Sequence, residues 1–179
     1  NGLIDLHITN FTNESSDLYV QQASGLFQNQ AVRYGLDLAT RPMMGWGTQA
    51  VDFDNDGWLD LAILNGNLYN QSVDQTPYRM APQLLRGAAN RFELVDAESA
   101  GDPFWQRATL GRALTSLDWN RDGRVDLVAN HLDTDASLLE NRSESPGRWV
   151  QLELVGTASE REAIGARVRV KTADGDWTA

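Results

Sequence analysis

Two nonapeptides place oxygen-bearing side chains at the same four positions: Asp52-Phe-Asp54-Asn-Asp56-Gly57-Trp-Leu-Asp60 and Asp118-Trp-Asn120-Arg-Asp122-Gly123-Arg-Val-Asp126. Positions 1, 3, 5 and 9 carry carboxylates, or in one case an amide, and position 6 is glycine in both. Donors of that kind, converging within nine residues, suit a hard divalent cation. Calcium takes several oxygen ligands, main-chain carbonyls included, and a glycine lets the backbone turn sharply enough to bring them together. The carbonyls of Trp58 and Arg124, at position 7, would join each set. The expected ligands are therefore Asp52, Asp54, Asp56, Trp58 and Asp60 for one Ca²⁺, and Asp118, Asn120, Asp122, Arg124 and Asp126 for a second. Four carboxylates against three plus an amide rank the first loop the tighter binder at equal geometry.

The elements that must hold these loops are strands. A helix–loop–helix calcium hand needs a bidentate Glu at position 12, where this chain has Ile63 and Ala129. The run from Thr48 to Phe53 alternates as a strand does, and Leu61-Ala-Ile-Leu64 and Leu127-Val128 leave the loops as short apolar runs. The loops also mark repeats. Gly45, Asp52, Gly57, Asp60 and Leu61 recur as Gly111, Asp118, Gly123, Asp126 and Leu127, an offset of 66 (118 − 52). Phe27 matches Phe92, Leu84-Leu85 matches Leu138-Leu139, and Asp5-Leu-His-Ile-Thr-Asn10 resembles Asp60-Leu-Ala-Ile-Leu-Asn65. A third loop, Asn1-Gly2-Leu3-Ile4-Asp5, lacks its opening ligands and is expected to bind no metal. A period of roughly 55 to 66 residues with short strands and Gly turns suits one blade of a β-propeller, a unit that must pack against its neighbours. Helix is expected only as a turn or two, at Asp37-Leu-Ala-Thr and Val95-Asp-Ala-Glu-Ser-Ala. The fold class that follows is all-β, with antiparallel blades of a partial propeller.

These residues resemble a known family. Gly45-Trp46-Gly47 followed by Asp-x-Asp-x-Asp-Gly-x-x-Asp-Leu resembles the FG-GAP or VCBS repeat of integrin-α-like propellers. The run from Arg148 to Gly156, with Ile164-Gly-Ala-Arg-Val168, is similar to the start of the ASPIC/UnbV domain that follows such repeats in secreted bacterial proteins. The resemblance implies repeats over residues 1–147, divided as a partial blade at 1–44, a full repeat at 45–109 and a partial blade at 110–147. A truncated C-terminal β segment follows at 148–179. It also implies structural calcium, secretion, and recognition or adhesion outside the cell. A chain that opens inside a calcium loop and closes soon after Asp174-Gly-Asp176 points to a piece of a larger protein, whose open sheets invite self-association.

Composition is consistent with this. A formal charge of −10 over 179 residues disfavours nucleic acid and anionic membranes as partners. Seven of the 25 acidic residues lie in the two loops, and two bound Ca²⁺ would bring the charge to −6 (−10 + 4). There is no Cys, so neither disulfides nor thiolate metal sites arise. No transmembrane segment is visible. Calcium sites of moderate affinity stay filled where calcium is near millimolar, which places the expected location in the periplasm or outside the cell.

Reactive groups are few, and the expected role is non-enzymatic. His7 lies mid-strand, and His131 stands where the other copies have Asn10 and Asn65, as a turn residue at a strand end. Glu160, Glu162, Asp133 and Asp135 read as solvated surface. Trp58 and Trp119, at even loop positions, are expected to point away from the ion and pack between blades. Trp105 is the best placed aromatic for a ligand, which keeps a carbohydrate-binding alternative open. A further alternative is an accessory segment of a larger secreted enzyme. The partner is expected to be an extracellular protein or a glycan.

Overall fold

The computed structural model describes residues 2–70, 76–144, 147, 149–158, 160–171 and 176–178. Within them the chain is mostly β and every named strand pairing is antiparallel. The first sheet holds β1 (Leu6–Ile8), β2 (Asp17–Gln21) and β3 (Phe27–Asn29). The second holds β4 (Gly45–Val51), β5 (Asp60–Asn65), β6 (Gln83–Ala88) and β7 (Arg91–Leu94). In the third are β8 (Gly111–Leu117), β9 (Asp126–His131) and β10 (Ser137–Leu139). Each is a meander, with strands adjacent in sequence adjacent in space.

The registers show how the sequence repeat becomes a structural one. Leu61 faces Leu85 across β5 and β6, Leu127 faces Leu139 across β9 and β10, and Leu6 faces Tyr19 across β1 and β2. Laid on the second sheet, the first sheet therefore supplies its last three strands, and the third supplies its first three.

Strand β5 explains why the sheets stack. All six of its residues are buried, and a strand turns alternate side chains to opposite faces. Leu61 and Ile63 join Leu18, Val20, Leu36 and Leu85 in a core against the first sheet. Ala62 and Leu64 join Leu114, Leu127 and Ala129 in a second core against the third sheet. Where β4 meets β8 the backbones come very close. A Cβ on Gly47 would lie 2.5 Å from the Leu114 nitrogen, so no side chain fits there. Beside it the Arg112 guanidinium lies 4.1 Å from the Trp46 ring centre, and the Trp46 indole donates to the Gly66 carbonyl at 2.7 Å. Trp46 thus fills the role between sheets that was expected of Trp58 and Trp119. Those two are 43% and 64% exposed, because the loop tips carry them beyond the ends of the packed strands.

Among the described residues helix is limited to α1 (Leu36–Thr40), at the first expected place, and to one 3-10 turn at Pro103–Gln106. The segment after Val95 is a turn, closed by the Ala100 N–H donating to the Asp96 carbonyl. The 3-10 turn begins where Asp102 accepts from the Phe104 N–H and Pro103 supplies a preset φ. No described helix is long and apolar enough to cross a membrane. In the C-terminal part β11 (Arg169–Lys171) pairs with β12 (Asp176–Thr178), and the intervening Asp174 lies outside the described residues. The alternating run from Trp149 to Val155 forms no strand, and its apolar side chains are exposed. Arg148 and Asn1, which open the C-terminal resemblance and the third loop, also lie outside the described residues.

Candidate metal centres

Each nonapeptide bridges the first two strands of a sheet, held at its neck by a strand pair: Val51 with Asp60, and Leu117 with Asp126. The turn inside is the same in both. Asn55 and Gly57 have φ of 52° and 92°, and Arg121 and Gly123 have 60° and 81°, so the fourth and sixth positions are both left-handed. Glycine adopts that conformation without cost, and Asn tolerates it better than Arg does.

The carboxylates organise the turn through backbone N–H groups. Asp52 accepts from Asp56 at 3.0 Å and from Gly57 at 2.8 Å, while Asp118 accepts from Asp122 at 3.1 Å and Gly123 at 3.0 Å. Asp56 accepts from the Trp58 N–H at 2.8 Å, and Asp122 from the Arg124 N–H at 2.9 Å. Asp60 accepts from Phe53 at 3.0 Å, and Asp126 from Trp119 at 2.8 Å. The two loops are one structure built twice.

The ninth position carries a further task. Asp60 Oδ1 accepts from Gly87 of β6 at 2.7 Å, Asp126 Oδ1 from Asn141 at 2.7 Å, and Asp5 Oδ1 from Gln21 of β2 at 2.8 Å. In all three copies this aspartate pins its own strand to the next one. Asp60 and Asp126 are buried, at 3% and 1% exposure. Gly87 must be glycine for this contact, since a Cβ there would sit 1.9 Å from the Leu59 carbonyl oxygen. Asn141 adds bonds from its amide to the Phe53 carbonyl at 2.8 Å and the Val125 carbonyl at 3.2 Å, linking the third sheet to the first loop.

Cation chemistry differs between the loops. Asp52, Asp54 and Asp60 bring one carboxylate oxygen each within 4.8 Å of one another. Oxygens sharing one calcium at about 2.3–2.6 Å lie at most about 5 Å apart, so this spread fits. Asp56 is outside that group; the Arg86 guanidinium ion-pairs with Asp54 and lies 3.3 Å from Asp56 Oδ2. A cationic group already stands against the loop. The second loop gathers no such trio of acidic groups among the described residues, because position 3 is Asn120. Asn120 donates to Asp122 Oδ2 at 3.0 Å and to Glu140 at 3.5 Å, and the Arg124 guanidinium pairs with Asp122 at 2.9 Å. All donors in both loops are oxygens, which suits a hard cation and not zinc or copper.

Electrostatics follow from this packing. Burial pushes the Asp52 and Asp60 carboxyls above the ordinary value, and the charges of Asp54 and Asp56 push the same way against the backbone N–H bonds. Asp122 is held below the ordinary value, chiefly by the Arg124 N–H.

Outside the loops, His131 ends β9 and is buried, with neither ring nitrogen hydrogen-bonded among the described residues; its ring centre lies 5.9 Å from that of Phe104. It is a strand residue rather than a turn residue. His7 packs against Thr48, 3.2 Å from Nδ1 to the hydroxyl. Glu160, Glu162 and Asp135 are exposed as expected, but Asp133 is not simply solvated. Asp133 accepts from the Leu110 N–H at 2.9 Å and from Arg79 at 2.6 Å, closing the loop after β9. Trp105 lines a cleft of about 670 Å³ together with Asp102, Glu140 and Arg142. Sequence reasoning missed Arg86, Gly87 and Asn141 as loop partners. The repeated Leu pairs held the signal: two residues beyond Leu85 and Leu139 come Gly87 and Asn141. Compared with known protein families and with curated proteins, the chain gives no match.

Proposed function

We propose that this chain is a calcium-stabilised module of propeller-type repeats from a secreted protein, serving recognition or adhesion outside the cell and not catalysis. In this reading each nonapeptide holds one Ca²⁺ between the first two strands of a blade, and the residues from 148 onward begin a separate C-terminal unit. The observation that carries it is the duplicated loop. Both copies have the same left-handed positions and the same backbone-to-carboxylate bonds, and the first gathers three carboxylate oxygens into a space one cation can fill. When bound, calcium would neutralise like charges and lock the neck between paired strands. The protein's own part is to preset the turn and to aim oxygens inward. Removing Asp52 and Asp118 together by substitution with Ala should abolish any calcium-dependent rise in melting temperature; a rise that persists would refute the assignment.

A second reading has one specific support. Trp105, half-buried beside Asp102, Glu140 and Arg142 in a cleft between the second and third sheets, is a combination of aromatic face and polar rim that suits a glycan. Glycan-array binding that disappears in Trp105→Ala would favour it over protein recognition.

A further inference from the structure

We infer that Arg86 is a tethered competitor of calcium in the first loop, and that it reduces the affinity advantage which four carboxylates would otherwise give. The inference rests on the calcium reading above. Arg86 stands on β6, one residue before the Gly87 whose N–H pins Asp60, so strand pairing fixes its place beside the loop. The loop's own N–H groups take Oδ1 of Asp54 and of Asp56. Arg86 takes Oδ2 of both, the carboxylates at positions 3 and 5. It is also half exposed, at 58%, so it can swing away without leaving a buried charge behind. That combination makes it a competitor and not a permanent plug.

The third sheet places a different group at the same point, and its loop arginine, Arg124, reaches only the fifth-position carboxylate. The position equivalent to Arg86 is Glu140 (139 − 85 = 54; 86 + 54 = 140), from the matched pairs Leu61–Leu85 and Leu127–Leu139. At the same point of the blade one loop faces a cation and the other an anion. Counting near charges, the first loop has four carboxylates and Arg86, −4 + 1 = −3. The second has three carboxylates and Glu140, set against the Arg124 that pairs with Asp122 and the Arg142 that pairs with Glu140, −3 − 1 + 1 + 1 = −2, with Arg121 also inside the loop. Arg86 narrows the gap that ligand count alone would give between the two loops, without closing it.

The test is calcium titration by calorimetry on the full chain with the second loop silenced by Asp122→Ala, comparing Arg86, Arg86→Gln and Arg86→Lys. A unit charge about 5 Å from a divalent ion at the protein surface predicts about three- to tenfold tighter binding in Arg86→Gln, a gap that shrinks toward unity in 1 M salt. Arg86→Lys stays near the parent. Free of calcium, Arg86→Gln melts below the parent because carboxylate repulsion is unrelieved, and calcium restores it. A mirror arm uses the first loop silenced by Asp54→Ala, where Glu140→Gln, also a change of one charge, should weaken the second loop by a similar factor. Equal or weaker calcium binding in Arg86→Gln overturns the role of Arg86 and leaves the calcium reading intact. Absence of calcium binding in parent and variants alike overturns both.

Discussion

Asp60 joins the loop to the sheet: its two oxygens accept from Phe53 and Gly87, and it is nearly sealed from solvent. Asp60→Asn would place an amide donor against a backbone donor. We expect that to cost about 1–3 kcal/mol in urea unfolding without metal, the range for a buried polar group left unsatisfied. The pH dependence of the metal-free protein has two opposed parts. Asp52 and Asp60 titrate above the carboxylate value of 3.8 because burial disfavours their charge. Their share of stability is therefore complete below that value and is lost as pH rises through the raised values. Calcium, by favouring the ionised form, should flatten or reverse that slope in melting curves taken with calcium instead of chelator. His7 acts in the other direction: burial lowers it to about 4, against the pull of Asp17. Its share is present above 6.5 and lost as pH falls through about 4. His7→Gln should therefore reduce the stability difference between pH 7 and pH 4.5 by up to about 2 kcal/mol.

Strand β5 serves two cores at once, which makes neighbouring substitutions on it fail for opposite reasons. Leu61→Ala empties the core against the first sheet and should cost about 2–5 kcal/mol. Ala62→Leu overfills the core against the third sheet, where Ala62 has no exposed surface, and should cost about 1–3 kcal/mol. Guanidinium unfolding of both variants measures this; a neutral Ala62→Leu would mean the second and third sheets are loosely packed. At this scale much was legible in the sequence. The offset between Asp52 and Asp118 located both loops, and Leu61-Ala-Ile-Leu64 and Leu127-Val128 located the exit strands. Less legible was anything decided by what stands opposite. Trp58 and Trp119 have the composition of packing residues, but their loops carry them past the ends of the sheets. Arg86 reads as an ordinary charged residue of a strand until register sets it against Asp54. The run after Trp149 alternates like a strand, yet a strand also needs an edge to pair with, and pattern alone does not supply one.

At the scale of the molecule, the first three sheets stack through two cores, and exposed apolar side chains remain on the two outer sheets. Leu6 and Ile8 on the first sheet, and Leu132 and Leu138 near the third, are all exposed. Such faces, together with open strand edges, should drive concentration-dependent association of this chain, visible as a rising weight-average mass in sedimentation equilibrium. A constant monomer mass from micromolar to millimolar concentration would contradict that. The account as a whole turns on whether both duplicated loops hold calcium, and calorimetric titration of chelator-treated protein asks this directly. The account predicts two equivalents of Ca²⁺ in the parent, one in Asp52→Ala, one in Asp118→Ala, and none in the double variant. It also predicts about 1–3 kcal/mol of added stability per filled site when calcium stands at about 10 to 100 times its dissociation constant. No heat and no stabilisation at 10 mM calcium, or binding unchanged in the double variant, would contradict it.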